Sequence, residues 1–519
     1  MDTSSRLFEE LEEVVRCQLG FNRTDGQAWL QLAWKMIESQ RLQLAILCFH
    51  ETVRLVPSMV EAWANLGSLY RRAGQLEPSV ACYREAVQRQ PTNVRLILAT
   101  AATLRLAGLR IEAKNYCEKA LSLDPESAEL LMLLGNIHQE LDHFDAAIEY
   151  LESGIRRAGR TSQNVSCLGI AYYRRGDVEL AISLFRESIA ANPQNHDSHF
   201  HLGMALLLVG DYRQGWEEYE WRTGGRWRPM QNVPIPWWDG QPLSKQQTLL
   251  IAAEQGYGDT IQFVRLMADL KSKVECKIIL QAPRPLLPLL RTCRGLDSCI
   301  ARDEPLPPID CFLPLASVPS VLQYHPEQSK PRLAYLSADD LRTQFWGEFL
   351  NAKVVAHSTP RCLRIGLSWQ GDPKFPADHC RSIPLKHLSI LTDTPNTKWF
   401  SLQKGYGTEQ LTTLAESTKI VDFGDRLDSN AEAFLDTAAI MQHLDLVITS
   451  DTAIAHLAGA CGVPVWIGLS FVPDWRWNLH RNDSVWYPTA RLFRQTKLGD
   501  WGSLIHPMQQ ELTKFKSRV

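Results

Sequence analysis

The chain has 519 residues, enough for two to four domains, and its 45% apolar and 22% charged content is that of an ordinary folded protein. A net charge of −3, with no basic stripe carrying interleaved aromatics, argues against a nucleic-acid partner. Nothing approaches 18 consecutive apolar residues, so no membrane span is expected. Twelve Cys are scattered without a CxxC pair, and most, such as Cys82 and Cys117, fall at apolar helical positions. That is the pattern of reduced thiols in a cytoplasmic protein, not of a disulfide frame or a zinc site. The acidic, amphipathic opening MDTSSRLFEELEEVV is no signal peptide.

A period of 34 residues governs the first part: Pro57, Pro91 and Pro125 are evenly spaced, Gly159 takes the next place and Pro193 the one after. In the same frame stand Trp29, Trp63, Ile97, Leu131, Val165 and His199, each followed four residues on by Ala33, Gly67, Ala101, Gly135, Gly169 and Gly203. This is the tetratricopeptide pattern, with two antiparallel helices per unit, small residues at the close crossing and proline after the second helix. Six units are expected over 26–224, preceded by a capping helix at Leu7–Leu19, so that 1–224 forms a superhelix with a concave groove for a protein partner. His196, His199 and His201 open the sixth unit, but no Cys or carboxylate pair stands beside them at ligand spacing, and no metal is expected.

Glycine, proline and polar interruptions mark 225–247 as a linker, and Trp227, Trp237 and Trp238 predict that it packs. Thr248–Ala253 then reads as a strand, followed by the loop Glu254-Gln255-Gly256-Tyr257-Gly258-Asp259-Thr260, a helix over Ile261–Leu270 and a strand at Lys277–Gln281. A helical turn at Pro285–Arg291 leads into the proline-rich 305–319. The alternation resumes with a strand opening at Leu363 and leading to Gln370-Gly371. Next come strands at Trp399–Leu402 (then Gln403-Lys404-Gly405) and Ile420–Phe423, and a helix Ala431–Leu444 with Phe434, Ala438 and Met441 on its inner face. Leu446–Thr449 is a short buried strand; Ser450, Asp451 and Thr452 can each cap the small-residue helix that follows, and Val465–Leu469 is the next strand. Free N–H groups and the positive dipole end at that helix start suit a phosphate. Two αβ halves are thus expected, 248–345 and 360–495, with a final helix in 496–519.

Asp451-Thr452-x-x-x-His456 followed by Gly462-x-Pro464-Val465 resembles the nucleotide-sugar motif of heptosyltransferase-like GT-B glycosyltransferases and, more distantly, the matching segment of O-linked N-acetylglucosamine transferases. The longer run through Phe471-Val472-Pro473-Asp474-Trp475-Arg476-Trp477, Trp486-Tyr487-Pro488 and Arg491-Leu492-Phe493-Arg494-Gln495 is similar to bacterial proteins that fuse tetratricopeptide repeats to such a transferase. The EQGxGDTIQF string resembles their first loop, although leucine is expected where Tyr257 stands. The resemblance implies a repeat superhelix followed by two Rossmann-like domains. The 248–345 half would take the acceptor, the 360–495 half the nucleotide sugar, and the last helix, near Met508–Phe515, would cross back to the first half. It implies an inverting, metal-independent transferase with no cofactor, a nucleotide-diphosphate sugar as donor and Asp259 as the base. Donor contacts are expected from Gln255, Gly256, Gly258, Gln370, Arg381, Ser382, Lys404, Ser450, Asp451, Thr452, His456 and Trp475, and from the backbone N–H groups of 452–455. Because a peptide-binding superhelix is of less use to a glycan enzyme, a protein acceptor is expected. A repeat scaffold with an inactive transferase half and a transferase building lipopolysaccharide or another glycan are the other two readings.

Overall fold

The computed structural model describes residues 3–16, 21–223, 235–329, 333–353, 362–414, 420–429 and 432–517. The chain forms two compact units, Met1–Pro193 and Gln194–Val519. The periodicity grouped the sixth repeat with the first five; in space it groups with the α/β part.

In the first unit the helix Thr3–Arg16 precedes five antiparallel pairs: Gly26–Glu38 with Leu42–Leu55, Val60–Arg72 with Leu76–Arg89, Val94–Leu106 with Arg110–Leu123, Ala128–Glu140 with Phe144–Ala158, and Ser162–Arg175 with Val178–Ala191. The 34-residue frame supplies the reason they close. A methyl group on Gly135 would come within 2.7 Å of Leu151, and one on Gly169 within 2.7 Å of Phe185, so only glycine allows those crossings. Leu11 and Val15 of the first helix are buried with Trp29, Leu32 and Phe49 and cap the stack. Burial pushes the Cys82 and Cys117 thiols up to about 12.

In the second unit the last helix pair, His196–Val209 and Tyr212–Tyr219, is followed by two parallel sheets. The first has the order β3-β2-β1-β4, from β1 (Thr248–Ala252), β2 (Lys277–Ala282), β3 (Ser298–Ala301) and β4 (Cys311–Pro314). Leu250 stands opposite Ile279 on one side and Phe312 on the other. The second runs β10-β9-β8-β5-β6-β7. Its strands are β5 (Leu363–Ser368), β6 (Thr397–Ser401), β7 (Ile420–Val421), β8 (Leu446–Ser450), β9 (Val465–Leu469) and β10 (Ala490–Arg494). β8 and β9 are buried along their whole length, as continuous apolar runs in a covered parallel sheet require.

Several expectations change. Strand β4 forms inside the stretch read only as proline-rich, because Pro314 ends it and leaves its pairing with β1 intact, and β3 precedes that stretch and pairs with β2. The helix after the glycine loop starts at Tyr257, turns 3₁₀ at Val264–Leu266 and resumes at Met267–Lys273. The Leu435–Met441 helix is shorter than expected; Phe434 sits before it with φ 68°, off the inner face that Ala438 and Met441 do form, and Ala431 lies outside the described residues. The limit at 345 cuts a helix, Asp340–Lys353, that packs on Leu435–Met441: Arg342 pairs with Glu432 and Asp436, and the Trp346 indole N–H donates to Asp436 at 3.0 Å. The last helix, Gly502–Lys516, docks on the second sheet and not the first half: Leu504, Ile505, Met508 and Leu512 are buried with Leu363, Trp399, Trp466 and Phe493. Of the linker, Trp227 lies outside the described residues; Trp238 is buried, its backbone N–H donating to the Phe312 carbonyl and its indole N–H to the Gln241 carbonyl, each at 2.8 Å, while Trp237 is 41% exposed.

Candidate functional site

The loop after β1 and the turn after β8 meet. Gly258 lies so close to the second sheet that a methyl group there would stand 2.8 Å from the His456 ring and 3.6 Å from the Ala453 Cα. Asp259 is not the first cap of its helix but reaches back from the first turn: its Oδ2 accepts the Gly256 N–H at 2.8 Å. Its other oxygen is held by the Arg476 guanidinium.

Arg476 is the residue that sequence reading passed over. It sits in the turn Trp475–Trp477, 6% exposed, with Nη1 on Asp474 at 2.8 Å, Nε on Gln262 and Nη2 on Asp259, and its guanidinium 4.2 Å from the Trp475 ring centre. A lone Arg between two Trp just after an Asp hinted at a paired, buried cation but not at its distant partners.

At the end of β8, the Ser450 hydroxyl is buried with no partner among the described residues. Thr452 is the N-cap of the helix Ala453–Ala460 but makes no side-chain cap bond; its hydroxyl lies 3.4 Å from that of Thr449. The Thr452 N–H donates to the Ser450 carbonyl at 2.8 Å and the Ala455 N–H to the Thr452 carbonyl at 3.0 Å. Two of the four N–H groups expected to meet phosphate are therefore used within the chain. His456 bonds the Tyr487 hydroxyl at 2.9 Å and stacks on Trp477 at 5.3 Å. Burial, then the Arg476 and Arg381 charges, push its pKa well below the ordinary value, so the ring is neutral. Burial and the nearby Asp474 push the Asp451 carboxyl up to about 6, against the pull of Arg381 and Arg476.

At the end of β5, a cavity of about 490 Å³ is lined by Gln370, Phe375, Asp378, Ser382, Pro384 and Gln410 among others. Ser382 accepts the Gly371 N–H at 3.0 Å and donates to Asp378 at 2.8 Å; Arg381 pairs with Asp378 at 3.1 Å and lies 4.4 Å over the Phe375 ring. Gln370 accepts from Gln410 at 2.7 Å. Gln403, also missed, ties β5 to β6 by accepting the Trp369 and Gln370 N–H groups at 2.9 and 3.0 Å.

Three expected donor contacts have other partners. Lys404 donates to the Asp428 carbonyl. Gln255 donates to the Tyr219 hydroxyl at 2.9 Å. Trp475 is 2% exposed among Trp216, Tyr219, Phe263 and Trp486, so its ring is part of the core. Of the three histidines, His199 meets Glu218 at 2.5 Å and stacks on Trp221, and His201 meets the Asp197 carbonyl at 2.6 Å.

The fold is therefore a tetratricopeptide array joined to an α/β unit of two parallel sheets. The tetratricopeptide-repeat families match at 60–93, 104–163 and 168–213. Among curated proteins, FlbA of Caulobacter vibrioides is 24% identical over 500 residues, spanning 92% of this chain and 82% of that protein. A TPR repeat-containing protein of Schizosaccharomyces pombe is 29% identical over 107 residues, 21% of this chain and 12% of that one. Among solved structures, YrrB, described as a TPR protein with an unusual peptide-binding site, is 16% identical with a TM-score of 0.31, covering 37% of this chain and 95% of that chain. No helix among the described residues is long and apolar enough to cross a membrane.

Proposed function

We propose that the chain is an inverting, metal-independent glycosyltransferase of the GT-B kind, moving a sugar from a nucleoside-diphosphate donor to a protein acceptor recruited by its repeats. The observation that carries this reading is the meeting of Gly258 and Asp259 with His456 and Arg476, which joins the glycine loop after β1 and the small-residue helix after β8 in one place. Ligands of open parallel sheets bind at the carboxyl ends of strands, and both segments start there. A diphosphate at the start of Ala453–Ala460 would be met by the helix dipole, the Ser450 and Thr452 hydroxyls and the cations Arg381 and Arg476. Asp259 would take the acceptor proton as the new C–O bond forms, while the sugar–phosphate bond breaks and the diphosphate leaves with its electron pair.

One observation favours the scaffold reading: both Asp259 oxygens are already engaged, by Gly256 and Arg476. Calorimetric titration with UDP, GDP and ADP and their sugars separates the two. Ser450→Ala or Thr452→Val should weaken the bound nucleotide by about 1–3 kcal/mol, the range for hydrogen bonds to charged groups. Unaltered affinity in both folded variants rejects this placement, and no binding of any nucleotide leaves the scaffold.

A further inference from the structure

The helix pair of the sixth repeat reaches both partners of Asp259. On one side, Tyr219 accepts from Gln255 at 2.9 Å, and Arg222 binds Glu254 and the Ser317 hydroxyl, each at 2.7 Å. Glu254 and Gln255 directly precede Gly256, whose N–H holds one Asp259 oxygen. On the other side, Trp216 and Tyr219 pack edge-on against Trp475 at 5.3 and 5.9 Å, next to Arg476, which holds the other oxygen. Asn478 continues that turn and donates to the Leu207 and Leu208 carbonyls at 3.4 Å.

The Arg222–Glu254 pair is nearly sealed from water, with side chains 7% and 3% exposed. Such a pair recovers little net stability over an apolar contact, because desolvating both charges costs much of what their attraction returns. What it does supply is a fixed geometry, here at the carboxyl end of β1. Glu220 and Ser317 complete the network: Arg222 binds Glu220 at 3.0 Å, and the Ser317 hydroxyl donates to Glu220 at 2.8 Å.

We propose that Tyr219 and Arg222 are positioning residues, setting through Glu254 and Gln255 where Asp259 stands, so that the sixth repeat belongs to the reaction site more than to the partner groove. The proposal rests on the transferase reading only for its effect on turnover. Its first test is amide hydrogen exchange on the full chain. Tyr219→Phe, which deletes one hydroxyl, should speed exchange at 256–259 about tenfold and leave the rest of the second unit unchanged. The paired change Arg222→Gln with Glu254→Gln, which removes both charges of the sealed pair together, should do the same. The second test is turnover of whichever nucleotide sugar the wild type consumes. Both variants should lose about 10–100-fold in kcat with little change in affinity for the nucleoside diphosphate, the cost of misplacing a reacting group by about 1 Å. Added to Asp259→Asn, Tyr219→Phe should cost little more, because it acts through the same carboxylate. Unchanged exchange at 256–259 overturns the proposal. So does full turnover with faster exchange, or a loss that adds in full to that of Asp259→Asn. A wild type that consumes no nucleotide sugar overturns the transferase reading instead, and the positioning then stands or falls on the exchange data alone.

Discussion

Replacing Gly258 by Ala tests the meeting of the two segments with one methyl group. The new carbon would stand 2.8 Å from the His456 ring, well inside contact distance. That ring has little room to retreat, being bonded to Tyr487 and stacked on Trp477. Overpacking of this kind costs about 1–3 kcal/mol. Against it stands a gain of about 0.5–1 kcal/mol, since Gly258 lies in the helix Tyr257–Phe263 and alanine suits a helix better. The balance is a loss of about 1 kcal/mol, or roughly 1–3 °C in melting temperature for a unit of this size. Calorimetric melting of the Gly258→Ala chain, with nucleoside-diphosphate titration alongside, measures it; binding should weaken as His456 and the helix start are pushed aside. A variant more stable than the wild type would show helix propensity acting unopposed, and the close approach would be refuted.

Asp259→Asn keeps the cap to Gly256 but loses the charge facing Arg476; turnover should fall roughly 10²–10⁴-fold, and full activity would leave the base unassigned. The same variant should lose about 1–3 kcal/mol in melting experiments, the range for hydrogen bonds to charged groups. The depressed His456 pKa makes a pH prediction: its stabilising effect is present above the ordinary value of about 6.5 and is lost as pH falls, because the unfolded chain takes the proton first, by up to about 1.4 kcal/mol per unit. Asp451, raised to about 6, works the other way, stabilising at low pH and losing that contribution as pH rises from about 4 through 6. The stability gap between wild type and His456→Asn should therefore shrink between pH 7 and 5, while that between wild type and Asp451→Asn should move oppositely; flat differences in melting temperature would contradict both burials. A chain beginning at Gln194 should still bind nucleotide yet lose its protein acceptor, and acceptor kcat/KM equal to that of the full chain would show that the first five repeats do not recruit.

The repeats were legible because their spacing is local: proline, aromatic and small residues fall at fixed offsets, and each pair closes on itself. Strands β8 and β9, with the small-residue helix between them, were legible for the same reason. Strand β4 was not, since Cys311–Pro314 is short, proline-ended and defined by partners some 60 residues earlier in the chain. The docking of Gly502–Lys516 was not legible either: its apolar face shows that it packs but not on which sheet. At the site, Asp259 and His456 could be named from motifs. Arg476 could not, because its role comes from Asp259, Gln262 and Asp474 meeting around it, and two of those lie more than 200 residues away.

The hydrogen bond between Tyr212 and Asn478 spans 266 residues, and that distance has a consequence during synthesis. The first five repeats can fold as each emerges, since each helix packs on a neighbour just made. The sixth looks identical to a nascent chain, yet its Trp216 is buried by Trp475 and Trp486 and bonded to the Tyr324 carbonyl. At about 5–20 residues per second, its final partners arrive roughly 10–50 s later. For that interval the ribosome displays an unfinished apolar surface. A chain cut short just after 223 should end in a sticky repeat, with aggregation or chaperone capture as its fate.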